Sequence, residues 1–99
     1  MKTVAGSFAI SVHPGEILLE ILEENSISQA QLARHLKMDP SKINEICKGR
    51  RGISAEMAVL LAKALRVSAA TWMNLQKNWE LSQVDAGISD SIEQMRLRA

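Results

Sequence analysis

Five helix-start signals fall between residues 13 and 68, and their spacing leaves room only for short helices. In His13-Pro14-Gly15-Glu16, proline suits a first helical position because its missing N–H would be unpaired there, and Glu16 meets the positive end of the helix dipole. Ser28, Asp39 (directly before Pro40), Ser54 and Ser68 are N-capping types, whose side-chain oxygens accept from the first free backbone N–H groups. Between these signals apolar residues recur at helical spacing, as in Ile17, Leu18, Ile21 and Leu22, or Ala30, Leu32, Ala33 and Leu36. The spans predicted are Pro14 to near Asn25, Gln29 to about Leu36, Pro40 to about Lys48, Ala55 to about Arg66, and Ala69 to about Leu81. Asn25 and Gly49 are the expected left-handed stops. No strand signal interrupts them. The fold class is therefore all-α, a compact bundle of five short helices.

The fourth helix is mostly Ala, Leu, Val and Met, with Glu56, Lys63 and Arg66 as its charges, and is expected at the buried centre. Trp72, Leu75 and Trp79 mark the apolar face of the fifth, with Met73 close by. Residues 1–12 read as an arm, residues 13–81 as the domain, and residues 82–99 as a tail with a candidate short helix from Asp90 to Arg98, bearing Ile88, Ile92 and Met95 on one face.

Hydrophobic residues make up 46% of the 99, enough for a core, and with one Phe, two Trp and no Tyr that core is built from Leu, Ile, Ala and Met. Cys47 is the only cysteine, so no internal disulfide forms, which fits a reducing compartment. No signal peptide or membrane-length apolar run is visible, and the expectation is a cytoplasmic protein, nucleoid-associated when bound to DNA. The net charge of +1 is uninformative, but its distribution is not: residues 1–27 carry −3, residues 28–52 carry +4 and residues 53–99 balance. A local basic block is the footprint of a polyanion-binding face, although a solvated basic surface has the same composition.

Two helices joined by the short turn Lys37-Met38-Asp39 lie inside that block and suggest a helix-turn-helix over about 28–48. At about 100° per residue, Ile43, Ile46 and Cys47 share one face of the second of these helices. Ser41, Asn44, Glu45 and Lys48 fall broadly on the other, with Lys42 on the flank. Short hydroxyls, amides, carboxylates and amines are the groups that read base edges in a major groove. Pro40, Ser41, Lys42 and Glu45, at the helix N-terminus, would lie nearest the bases, and Glu45 either accepts from a cytosine amino group or repels wrong sequences. Lys48, Arg50 and Arg51 are placed for phosphates, which give affinity and register without sequence information. Gln29, opening the preceding helix, is placed for a phosphate as well. An ordinary amphipathic surface helix has the same spacing.

The run Ser28-Gln29-Ala30-Gln31-Leu32-Ala33, then Ile43, then Gly49-Arg50-Arg51-Gly52-Ile53-Ser54 resembles the XRE-type helix-turn-helix of phage-repressor-like proteins. With His13-Pro14-Gly15-Glu16-Ile17-Leu18, Gly52 to Ala58 leading into Leu61-Ala62-Lys63, and Trp72-Met73-Asn74-Leu75-Gln76 with Trp79, the chain resembles the HigA branch of antitoxins, also called VapI or VapA-type virulence-associated proteins. The resemblance spans about residues 13–81. It implies a lambda-repressor-like domain that binds operator DNA as a dimeric transcriptional autorepressor, and that binds and neutralises a RelE-like mRNA-cleaving toxin of the HigB type. By matching position it implies DNA contacts from Gln29, Ser41, Lys42, Asn44, Glu45 and Lys48, with Arg50 and Arg51 on the backbone. One departure stands out: the family's turn often has Gly where this chain has Lys37, and a left-handed Lys37 would cost roughly 1 kcal/mol.

His13, His35 and Cys47 have no metal-ligand spacing, and no acid, base and nucleophile come together in the sequence, so no metal, cofactor or enzymatic activity is expected. Reading two half-sites about 34 Å apart calls for a homodimer, with Leu75, Gln76 and Trp79 as candidate interface residues. The acidic face of the first helix (Glu20, Glu23, Glu24) and the tail are both candidate toxin surfaces. A stand-alone XRE-type repressor without a toxin partner is the alternative, and an interaction module that has lost DNA binding is a second; the basic block argues against the latter.

Overall fold

The computed structural model describes residues 11–98, so most of the expected arm lies outside the described residues. Among the described residues five helices form: α1 (Pro14–Glu24), α2 (Gln29–His35), α3 (Pro40–Cys47), α4 (Ala55–Leu65) and α5 (Ala69–Ser82). Among the described residues there is no strand, which bears out the all-α expectation. Every expected cap is made. Ser28 accepts from the Gln31 N–H while Gln31 reaches back to the Ser28 N–H, a reciprocal capping box. Asp39 caps onto Ser41, Ser54 onto Met57 and Ser68 onto Thr71.

α1 packs on α3 and α5, α2 packs on α3, and α4 packs on α5. Leu18, Leu22, Leu32, Ala33, Ile43, Ile46, Ile53, Met57, Ala58, Leu61 and Trp72 make one core. Each large member contributes about 1.5–3 kcal/mol by leaving water. α4 buries Met57, Ala58 and Leu61, but Val59 stands 60% exposed, so this helix shows an outer face rather than a wholly buried one. Its apolar composition exceeds what its single packed stripe needs.

Three helices end with one device. A left-handed residue follows the helix, and the next N–H reaches back five residues. Ser26 (φ 56°) precedes an Ile27 N–H bond to the Leu22 carbonyl, Lys37 (φ 59°) precedes Met38 to Ala33, and Gly49 (φ 77°) precedes Arg50 to Glu45. The first stop corrects the sequence expectation: Asn25 keeps φ −106° and its side chain donates to the Ile21 carbonyl, so Ser26 takes the turn. The second shows Lys37 in the strained conformation anticipated for it.

The tail departs further. Beyond Ser82 the chain makes successive short turns to about residue 91 and then no regular structure, so the helix from Asp90 to Arg98 is absent. Ile88, Ile92 and Met95 are 68%, 72% and 75% exposed. A short helix with no partner for its apolar stripe lacks the packing that normally stabilises one.

Candidate nucleic-acid interface

The bundle fixes α3 from two sides. Its inner stripe, Ile43 and Ile46, is fully buried, with Cys47 half-buried beside them. Burial and the charge of Glu23 push the Cys47 thiol above its ordinary pKa, which marks a packing residue rather than a reactive one. At its C-terminal end, α3 is met by the start of α1. Gly15 lies so close to the Ile46 carbonyl that no β-carbon fits there. His13, 6% exposed, caps α1 by accepting the Gly15 N–H at Nδ1 (2.8 Å) and sets its ring edge-on to Trp79, centroids 4.7 Å apart. Thus His13-Pro14-Gly15 ties α1 to both α3 and α5.

The outer side of α3 is polar and open. Asp39 accepts from the Ser41 N–H at 2.9 Å, and that backbone bond first, then hydrogen bonding with the Ser41 side chain, holds its carboxyl below the ordinary range. Ser41, Lys42 and Lys48 are exposed, as are Arg50 and Arg51 just beyond, while Asn44, Glu45 and Gln29 are half-buried. The fold brings two pairs together. Asn44 Nδ2 donates to Gln29 Oε1 at 3.1 Å, locking α3 to the start of α2. Arg51 Nε donates to Glu45 Oε1 at 2.9 Å, with Nη2 at 2.8 Å from the same oxygen. Seven of the eight sequence-predicted residues therefore lie along α3 and just past its C-terminal end, and Gln29 joins them from the start of α2. The Gln29–Asn44 pair retains one amide NH₂ and one carbonyl, donor and acceptor together, the combination that matches an adenine edge.

The expected interface set divides. Leu75 packs partly against the core and Trp79 is half-buried against His13. Gln76 is 6% exposed: its Oε1 accepts from the Ile53 N–H at 2.6 Å and its Nε2 donates to Glu80 at 2.7 Å. Gln76 is thus buried within the protomer. It clamps the link between α3 and α4 onto α5, and Gly52 leaves the space its amide occupies. Sequence reasoning missed this role, although a polar residue four after Trp72, inside an apolar stripe, was the signal. His13 was missed as a brace because its ring partner, Trp79, lies on another helix.

Among the described residues no group of His, Cys, Asp and Glu is placed to hold a metal ion, and no helix is long and apolar enough to cross a membrane.

An α2–turn–α3 unit braced by three further helices, with a polar outer face on α3, defines a helix-turn-helix domain of the lambda-repressor-like class. The helix-turn-helix family model matches residues 18–72, more than half of the chain. The chain is 38% identical over 76 residues to virulence-associated protein I of Dichelobacter nodosus, covering 76% of this chain and 70% of that relative. It superposes on PA4674 of Pseudomonas aeruginosa in complex with its operator DNA with a TM-score of 0.78 and 43% identity, covering 85% of this chain and 96% of that one. It superposes on the Pseudomonas aeruginosa antitoxin HigA with the higBA promoter with a TM-score of 0.76 and 45% identity, over 84% and 91% of the two chains. The chain belongs to the XRE-type helix-turn-helix family, and its structural neighbours are HigA-type antitoxins.

Proposed function

We propose that this protein is the antitoxin of a type II toxin–antitoxin module: it binds its own operator DNA as a dimeric autorepressor and neutralises a RelE-like mRNA-cleaving toxin. The observation that carries the DNA half is α3 itself, anchored on one side by buried Ile43 and Ile46 and presenting Ser41, Lys42 and Asn44 on the other. In this reading α3 enters the major groove, and Ser41, Lys42 and the Gln29–Asn44 pair face base edges. Lys48, Arg50 and Arg51 run along the phosphates. The similarity to HigA proteins supports the toxin half. Both mechanisms are steric: an occupied operator excludes polymerase, and an occupied toxin cannot reach its RNA.

The test has two arms. The purified chain is titrated by fluorescence anisotropy against a duplex from upstream of its own reading frame and a scrambled duplex. It is also co-expressed with the adjacent small reading frame, with complex formation and growth scored. Preference for the upstream duplex together with a stable complex and growth rescue is the expected result. Operator preference with neither complex nor toxicity points to the stand-alone repressor. No preference for the upstream duplex removes the DNA half of the proposal.

A further inference from the structure

Of the acids in the basic block 28–52, Asp39 is engaged as a helix cap, whereas Glu45 sits on the outer side of α3 among cations. Lys42 and Lys48 lie three residues before and after it, so both share its face. Arg50 and Arg51 are pinned to it through the main chain, their N–H groups donating to the Glu45 carbonyl at 2.9 and 3.3 Å. Its carboxylate takes Arg51 rather than either lysine, with two guanidinium nitrogens on Oε1. The left-handed turn at Gly49 makes this possible by folding residues 50 and 51 back over the end of the helix. Without DNA, then, Arg51 is already paired with a carboxylate on the reading helix.

Building on the operator reading above, we propose that Glu45 determines specificity by masking Arg51 rather than by reading a base. Nonspecific duplex meets the closed pair, which offers no net charge to the phosphates. The side chains are 48% and 44% exposed, so water screens the pair and opening it is a small step. On the operator, contacts from Ser41, Lys42 and the Gln29–Asn44 pair fix α3 deep enough to open it, and Arg51 then takes a phosphate. The mask therefore subtracts one cation from nonspecific binding and none from operator binding.

The experiment compares Glu45→Gln with the wild type on the upstream and scrambled duplexes across a salt series. On scrambled duplex the variant should bind two- to fivefold more tightly, with a salt slope steeper by about one per bound protomer. On the upstream duplex affinity should stay within about twofold, with the slope unchanged. Arg51→Gln added to Glu45→Gln should return the scrambled-duplex slope to the wild-type value. Weakened binding of Glu45→Gln on the upstream duplex alone, by about five- to a hundredfold, would overturn the proposal in favour of a direct base contact. No change on either duplex would overturn it too, by making the pair incidental. A wild-type chain that binds both duplexes equally sinks the operator reading itself, and the masking role with it.

Discussion

Two buried side chains that touch no DNA position the elements that would. Removing the Gln76 amide leaves the Ile53 N–H buried without a partner, so Gln76→Ala should cost about 1–3 kcal/mol in urea denaturation; a loss under about 0.5 kcal/mol would mean the link is held by other means. His13 adds a pH dependence. Burial lowers its pKa from the ordinary 6.5, against the opposing charge of Glu16. The folded chain therefore binds fewer protons than the unfolded one: the stability is fully present above about 6.5 and is lost as pH falls towards the folded value. Protonating Nδ1 also removes the acceptor for the Gly15 N–H. The urea midpoint should fall between about pH 7.5 and pH 5.5, and His13→Asn, which keeps a capping oxygen, should flatten that fall. An NMR titration placing His13 above 6.5 would refute the assignment. Spacing flagged Gln76 only as a polar residue in an apolar stripe, and the partners that define the two braces, Ile53 for Gln76 and Trp79 for His13, are far away in sequence. Conversely, the exposure of Ser41, Lys42 and Lys48 followed directly from the helical period.

Among the elements, the helix starts were readable and the stops only partly. A cap is a residue type at a local position, so Ser28, Asp39, Ser54 and Ser68 all announced themselves. A left-handed stop announces itself only when it is glycine, as at Gly49; the same geometry at Ser26 and Lys37 is imposed by Ile27 and Met38, which pack against the core one residue later. Lys37→Gly should therefore raise stability by about 0.5–1 kcal/mol, by relieving the left-handed strain at some cost in backbone entropy. Gly49→Ala should lower it by about 1 kcal/mol. Chemical denaturation of the two variants side by side decides the matter, and a destabilised Lys37→Gly would show that the lysine side chain holds the turn. The tail illustrates the opposite error: Ile88, Ile92 and Met95 have helical spacing, but periodicity predicts a helix only where a surface receives the stripe.

For the molecule as a whole, the salt dependence of binding counts protomers. Each phosphate neutralised on B-DNA contributes about 0.9 to the slope of log K against log salt. Lys48 is exposed at the end of α3, outside both the Gln29–Asn44 and the Arg51–Glu45 pairs, so its removal leaves the reading face intact. A single bound protomer would lose one contact in Lys48→Ala and the slope would fall by about one. A two-fold dimer spanning half-sites about 34 Å apart carries the substitution twice, so the expected fall is close to two on the upstream duplex. The loss should be similar on every sequence, because a phosphate contact carries no base information. Anisotropy titrations over a salt series on a full site and on a single half-site separate the cases. A fall of about two on the full site and about one on the half-site fits the dimer, whereas about one on both would mean that the chain reads DNA as a single protomer.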